Sequence, residues 1–139
     1  SIIKKSSNKK KIKNTKSKPY HYKTINNSDI YVGKNSKQND FITLKLANKN
    51  DLWFHVKDVP GSHVILRSDN INQEDIEISA YLAAINSSVS SDNKIDVDYT
   101  EKKNVNKAKG AAPGMVYYED FNTLTVDTSI DLKDKYEEN

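Results

Sequence analysis

Cysteine is absent from this 139-residue chain, which excludes disulfides, thiolate catalysis and cysteine-ligated zinc together. That absence suits a reducing cytoplasm. No apolar run approaches the roughly 20 residues needed to cross a bilayer, and no apolar signal-peptide segment is present. Histidine is scarce: only His21, His55 and His63 occur, with no H-x-x-x-H pair and no acid-rich cluster beside them, so no metal is expected. Neither standard glycine-rich phosphate loop occurs, and Gly33-Lys34-Asn35 is far too short to stand in for one. Ser62 beside His63 is not a nucleophile–base pair, because those groups must meet through geometry rather than adjacency. The reading is therefore of a protein without cofactor, metal or catalytic residues, and not an enzyme.

Acidic residues are missing from the first 23 positions, where nine lysines give a local charge of +9. The remaining chain holds thirteen basic residues against nineteen acidic ones, a balance of −6, so the net +3 hides a basic tail on a mildly acidic domain. Residues 1–18 are rich in Lys, Ser and Asn with three Ile as the only apolar residues, too few to bury a core. Such a tail attracts polyanions without reading sequence, or serves as a solvated linker. The abrupt Ser1-Ile2-Ile3 start, without Met, suggests a fragment of something longer.

What is present is concentrated between Asp51 and Leu66, which holds the single Trp and two of the three His. Leu52, Phe54 and Val56 alternate with Trp53, His55 and Lys57, the pattern of a half-buried strand. Val59-Pro60-Gly61-Ser62 reads as a turn, and His63 to Leu66 as the returning arm of a hairpin. An indole, an imidazole and an ammonium group on one strand face form a platform suited to single-stranded or looped nucleic acid. Trp53 has the alternative of being core, since it carries a large apolar area.

Around this hairpin, Tyr20–Ile25 and Asp29–Gly33 predict a second one, turning at Asn26-Asn27-Ser28. Residues 33–40 read as a polar loop, with Asn39 or Asp40 capping a helix over Phe41, Leu44 and Ala47. Asn72–Ser87 is the clearest helix, with Glu74 and Asp75 in its first turn and Ile76, Ala80, Ala83 and Ala84 on one face. Lys94–Tyr99 alternates like an edge strand, residues 101–114 form a second basic loop, and Met115–Tyr118 with Thr123–Val126 predict a closing hairpin. Residues 131–139 are acidic and expected to fray. The resulting fold class is α+β, one domain with a mainly antiparallel sheet and one or two packed helices.

Three ordered segments carry a family resemblance. They are Asp29-Ile30-Tyr31-Val32-Gly33-Lys34-Asn35 with Gln38-Asn39-Asp40, then Asp51-Leu52-Trp53-Phe54-His55 with Pro60-Gly61-Ser62-His63-Val64, and Lys107-Ala108-Lys109-Gly110-Ala111-Ala112-Pro113-Gly114-Met115-Val116. Together they resemble the NFACT-R domain of RqcH-type ribosome quality-control factors, which older descriptions call fibronectin- or fibrinogen-binding proteins. The resemblance covers about residues 19–128, implying a linker at 1–18 that leaves the family's coiled coil and an acidic tail at 129–139.

The resemblance implies a cytoplasmic, multidomain parent that binds stalled large ribosomal subunits carrying peptidyl-tRNA, through rRNA and ribosomal proteins. It implies recruitment of charged tRNA, alanyl-tRNA in bacteria, for untemplated C-terminal tailing, with this domain contributing RNA contact and touching other domains of its parent. No membrane is implied. From the motifs and the basic loops together, the residues expected to contact RNA are Lys34, Asn35, Gln38, Asn39, Asp40, Trp53, His55, Lys57, Ser62, His63, Lys103, Lys107 and Lys109. Lys34 and Lys107 are expected on phosphate, while His55 and His63 donate hydrogen bonds or stack. Pro60, Gly61, Gly110, Pro113 and Gly114 are expected to set backbone shape. The rival reading is a surface adhesin that binds host fibronectin or fibrinogen.

Overall fold

The computed structural model describes residues 17–139, so most of the expected linker lies outside the described residues. Strands β1 (Tyr20–Thr24) and β2 (Asp29–Val32) form the first hairpin as the sequence predicts. Asn27 sits at its tip with φ of 63°, a left-handed conformation that Asn tolerates better than most residues. The Thr24 hydroxyl accepts the N–H groups of Asn26 and Ser28, which closes the turn.

The segment expected as a polar loop is helical instead. Helix α1 (Ser36–Asp40) starts because Asn35 is extended and its Oδ1 accepts the Gln38 N–H at 2.9 Å. Neither Asn39 nor Asp40 is the cap, since both side chains are aimed at other segments. The helix continues as a wider π turn over Phe41–Leu46, burying Ile42 and Thr43.

Strands β3 (Leu52–Val56) and β4 (Val64–Arg67) make the Trp hairpin, with Trp53 opposite Ile65 and Phe54 opposite Val64. Helix α2 (Gln73–Ile85) is capped by Asn72, whose Oδ1 accepts the Asp75 N–H at 2.9 Å. The chain then runs through β5 (Lys94–Glu101), β6 (Val105–Asn106), β7 (Tyr117–Tyr118), β8 (Asn122–Asp127) and β9 (Tyr136–Glu138). Seven strands form one antiparallel sheet in the order β8-β5-β3-β4-β2-β1-β9, while β6 and β7 pair separately. The α+β class, with two helices and a mainly antiparallel sheet, is the one the sequence indicates.

Three local expectations are corrected. β5 lies between β3 and β8 rather than at an edge. Alternation reports which faces are covered, and an interior strand with one partly open face reads the same as an edge. The closing hairpin is split: β7 pairs with β6 and β8 with β5, across a bend where Asp120 takes φ of 52°. The C-terminal segment does not fray, because β9 adds to the sheet beside β1 and Tyr136 packs edge-on against Tyr22 at 5.1 Å.

Both faces of the sheet are covered. Helix α2 lies on one face, where Ala80, Ala83 and Ala84 are fully buried and permit close approach to Ile30, Phe54, Val64 and Leu66. Ile76, expected on the same face as those alanines, is only partly buried, and Ile78 and Leu82 are buried in the contact. On the opposite face Ile42, Trp53, Ile65 and Val105 form a second, smaller cluster beneath the π turn and the β6–β7 segment. Each large apolar side chain buried in this way contributes about 1.5–3 kcal/mol.

Candidate nucleic-acid interface

The three sequence segments meet on the Trp53 side of the sheet, and their polar side chains tie them together. Asn39 Oδ1 accepts the backbone N–H of His63 at 3.0 Å, joining the first segment to the second. Gly33 lies so close to Asn39 that any Cβ there would collide with Asn39 Oδ1. Ser62 Oγ donates to the Gly33 carbonyl, and the Gly33 N–H donates to the His63 carbonyl at 3.1 Å. Asp40 Oδ1 accepts the Gly114 N–H at 2.9 Å, joining the first segment to the third, and Gly114 needs its glycine for a φ of 83°. Gln38 works locally: its Oε1 accepts the Lys34 N–H and its Nε2 donates to the Ser17 carbonyl.

His63 is the hub. It is about 1 % exposed, with Nδ1 3.2 Å from Trp53 Nε1 and 2.8 Å from Thr43 Oγ1. An indole N–H only donates, so Nδ1 is bare and the ring proton sits on Nε2. That Nε2–H then donates to the Gly114 carbonyl at 3.1 Å. Burial, reinforced by neighbouring His55, pushes the His63 pKa down to about 4. The ring is therefore a neutral strut at ordinary pH.

His55 lies parallel to Trp53, at 6° and 5.8 Å between ring centres, and His63 stands edge-on to both. Burial lowers the His55 pKa, against the opposing pull of its backbone hydrogen bonds with Val56 and Gly61 and of Asp98. These rings floor a pocket of about 580 Å³. Ser36 and Asn39 from α1, Pro60 and Gly61 from the Trp hairpin, and Pro113 to Val116 from the third segment complete its wall, with Tyr118 behind. One concavity thus collects residues from all three sequence segments.

The family described as NFACT protein RNA binding domain matches residues 18–120 of this chain. The chain belongs to that NFACT family. Relatives include the Rqc2 homolog RqcH of Bacillus subtilis strain 168, 39% identical over 127 residues, covering 85% of this chain and 22% of that protein. The Rqc2 homolog RqcH of Streptococcus suis strain 05ZYH33 is 44% identical over 113 residues, covering 78% of this chain and 20% of that protein. The chain thus spans about a fifth of the length of these curated relatives. Among solved structures, the C-terminal part of the fibronectin/fibrinogen-binding protein from Streptococcus suis matches with a TM-score of 0.76 and 42% identity. That match covers 81% of this chain and 46% of the other.

Within the NFACT domain, the residues singled out from sequence divide sharply. Trp53 is fully buried, so it is core and not an exposed plate. Both ring nitrogens of His63 are committed to protein groups, which leaves none to donate outward. Lys107, expected on phosphate, points its ammonium inward to the carbonyls of Ala112 (2.6 Å) and Met115 (3.1 Å) and to Asp40 (3.4 Å). Asn35, Gln38, Asn39, Asp40 and Ser62 hold backbone, as described above.

Lys34 remains exposed, its Nζ 4.5 Å above the Tyr20 ring, and Lys109 and Gly110 lie on the exposed third loop. Lys103 pairs with Glu101 at the surface. Lys57 meets Asp98 at 3.0 Å and the Phe121 ring at 4.9 Å. Asp98 is a participant that sequence reasoning missed. Burial pushes its pKa up, but hydrogen bonds from Tyr118, Thr123 and Lys57 outweigh that and hold it below the ordinary range. Ser36, Met115, Val116 and Tyr118 were missed as pocket walls as well, because short polar and apolar residues carry no charge signal. Among the described residues no group of His, Asp or Glu is arranged to hold a metal ion, and no helix is long and apolar enough to cross a membrane.

Proposed function

We propose that this domain supplies RNA contact within a cytoplasmic ribosome quality-control factor. In this reading the parent binds stalled large ribosomal subunits carrying peptidyl-tRNA and recruits charged tRNA, alanyl-tRNA in bacteria, for untemplated tailing. The domain contributes contact with tRNA or rRNA and docks on other domains of its parent, without catalysing a step. The observation that carries this reading is the convergence of the three NFACT segments on one pocket, cross-linked by Asn39, Ser62 and Asp40. Membership of a family described by RNA binding supports it, as do relatives named for a quality-control factor.

The test is tRNA binding across a salt series, comparing the whole chain with one that starts at Pro19. A folded-face site keeps measurable affinity without the lysine tail, with a shallower salt slope. Each phosphate that the shorter chain leaves unneutralised lowers the slope by about 0.9. If binding vanishes with the tail, generic electrostatics was responsible and the folded domain has no RNA site.

A second reading, adhesion to host matrix, has one specific observation behind it: the similar Streptococcus suis structure is that of a fibronectin/fibrinogen-binding protein. Immobilised fibronectin and fibrinogen, probed with the same two chains, separate the readings. Saturable capture of the chain starting at Pro19, with no tRNA affinity, supports adhesion.

A further inference from the structure

The pocket's chemistry is narrower than RNA binding requires. Among the described residues no Lys or Arg lines it, its two imidazoles are disfavoured from charging by burial, and the exposed Asp58 belongs to its wall. Such a lining, among the described residues, suits a neutral, planar group. Its volume falls within the roughly 300–1,000 Å³ of small-molecule sites.

One wall is flat and apolar: the His55 ring, backed by Trp53, faces a space flanked by Pro60, Pro113 and Met115. Met115 is about 62 % exposed, so apolar surface stands open to solvent at the mouth. Another part of the wall is polar, where Ser36 lies against Gly114. Ser36 and Asn39 lie three residues apart on α1 and so share one helix face. Asn39 Oδ1 is committed to His63, which leaves its amide NH₂ as a donor. Among the described residues neither that NH₂ nor the Ser36 hydroxyl has a side-chain hydrogen-bond partner, although both residues line the pocket.

We infer that this pocket receives one unstacked nucleobase, its face on His55 and its edge toward Ser36 Oγ and Asn39 Nδ2. The inference rests on the RNA-binding reading above and deepens it. Phosphates stay outside, at exposed cations such as Lys34 and Lys109, while the pocket takes the uncharged part of the nucleotide. Flat rings for stacking and a few polar atoms for the base edge are how proteins hold splayed-out bases.

Trp53 is the single tryptophan and floors the pocket, so its fluorescence reports the site. The whole chain is titrated with single-stranded RNA homo-oligomers of about ten nucleotides and with an abasic ribose-phosphate oligomer of equal length. Equal charge removes the electrostatic contribution from the comparison. The expected result is roughly fivefold to hundredfold tighter binding of at least one base-bearing strand, with a change in Trp53 emission that the abasic strand does not produce. Ser36→Ala is expected to weaken the base-bearing strand about twofold to tenfold and leave the abasic strand unchanged. Ser36 is exposed, so this variant keeps its fold. His55→Ala, verified as folded by its thermal melt, is expected to abolish the preference for bases.

Equal affinity for base-bearing and abasic strands, with silent Trp53 emission, overturns the pocket assignment and leaves RNA binding standing. No binding of either strand at low salt overturns the RNA reading as well. Emission that responds to N-acetylphenylalaninamide and to no oligonucleotide overturns the base and assigns the pocket to a protein side chain.

Discussion

The two faces of the sheet are held by different physics. Beneath α2 the contacts are apolar and extensive: Ile30, Phe54, Val64, Leu66, Ile78 and Leu82 exclude water, and directional bonds enter at the helix's first turn, where Asp75 accepts from Asn26 and Ser28. On the opposite face the apolar cluster is smaller, with Ile42, Trp53, Ile65 and Val105 buried among the described residues, and the surrounding loops are held by Asn39, Asp40, Ser62, His63 and Lys107. Apolar packing tolerates many shapes of similar volume, whereas hydrogen bonds prescribe angle and distance. The α2 face therefore supplies stability, and the Trp53 face commits its residues to defining a pocket.

The largest expected effect breaks the apolar side. Phe54→Ala should cost about 3–5 kcal/mol, measured as a lowered denaturant midpoint at unchanged slope. That loss should be nearly independent of pH between 3 and 7, since no Asp, Glu, His or Lys belongs to that cluster.

The Trp53 face should instead respond to pH. His63 has a folded pKa of about 4 against an ordinary 6.5, so the unfolded chain binds the proton more readily. Stability is then fully present above pH 6.5 and falls as pH drops toward 4, by about 3 kcal/mol in all. Asp98 works in a lower window. Its depressed pKa stabilises the fold above the ordinary carboxylate range, and that share is lost only as pH falls through and below it. Denaturant midpoints from pH 7 down to pH 3 check both, and ¹⁵N shifts of the ring at pH 5.5 should still report the neutral Nε2–H form of His63. A ring found protonated there would sink the assignment of His63 as a neutral strut.

Gly33→Ala sharpens the comparison with one methyl group. Its Cβ would strike Asn39 Oδ1 and displace the side chain that holds His63, costing about 1–3 kcal/mol. The loss should appear together with altered Trp53 fluorescence, which Phe54→Ala on the other face alters less at equal stability. The smallest effect belongs to Lys107→Ala. Its partly exposed contacts to Ala112, Met115 and Asp40 should be worth about 0.2–1 kcal/mol, read as a small shift in melting temperature.

The local pattern of the chain was enough for the elements whose signals are short-range. The β1–β2 and Trp hairpins, helix α2, and the α+β class follow from alternation, turn chemistry and helical spacing. The three segments that line the pocket were marked by the family resemblance. What side chains do once folded was not legible. Lys107 reads as a phosphate ligand because lysine is usually solvated, and its inward turn depends on carbonyls several residues away. Trp53, His55 and Lys57 read as a platform because alternation shows a strand's two faces but not whether both are covered. The partner of β7, the interior place of β5 and the docking of β9 depend on residues far apart in sequence, with Asp98 gathering Lys57, Tyr118 and Thr123 from three separate segments. Local propensity is a property of neighbours along the chain. Burial and hydrogen-bond partnership are properties of neighbours in space, and only the folded arrangement supplies those.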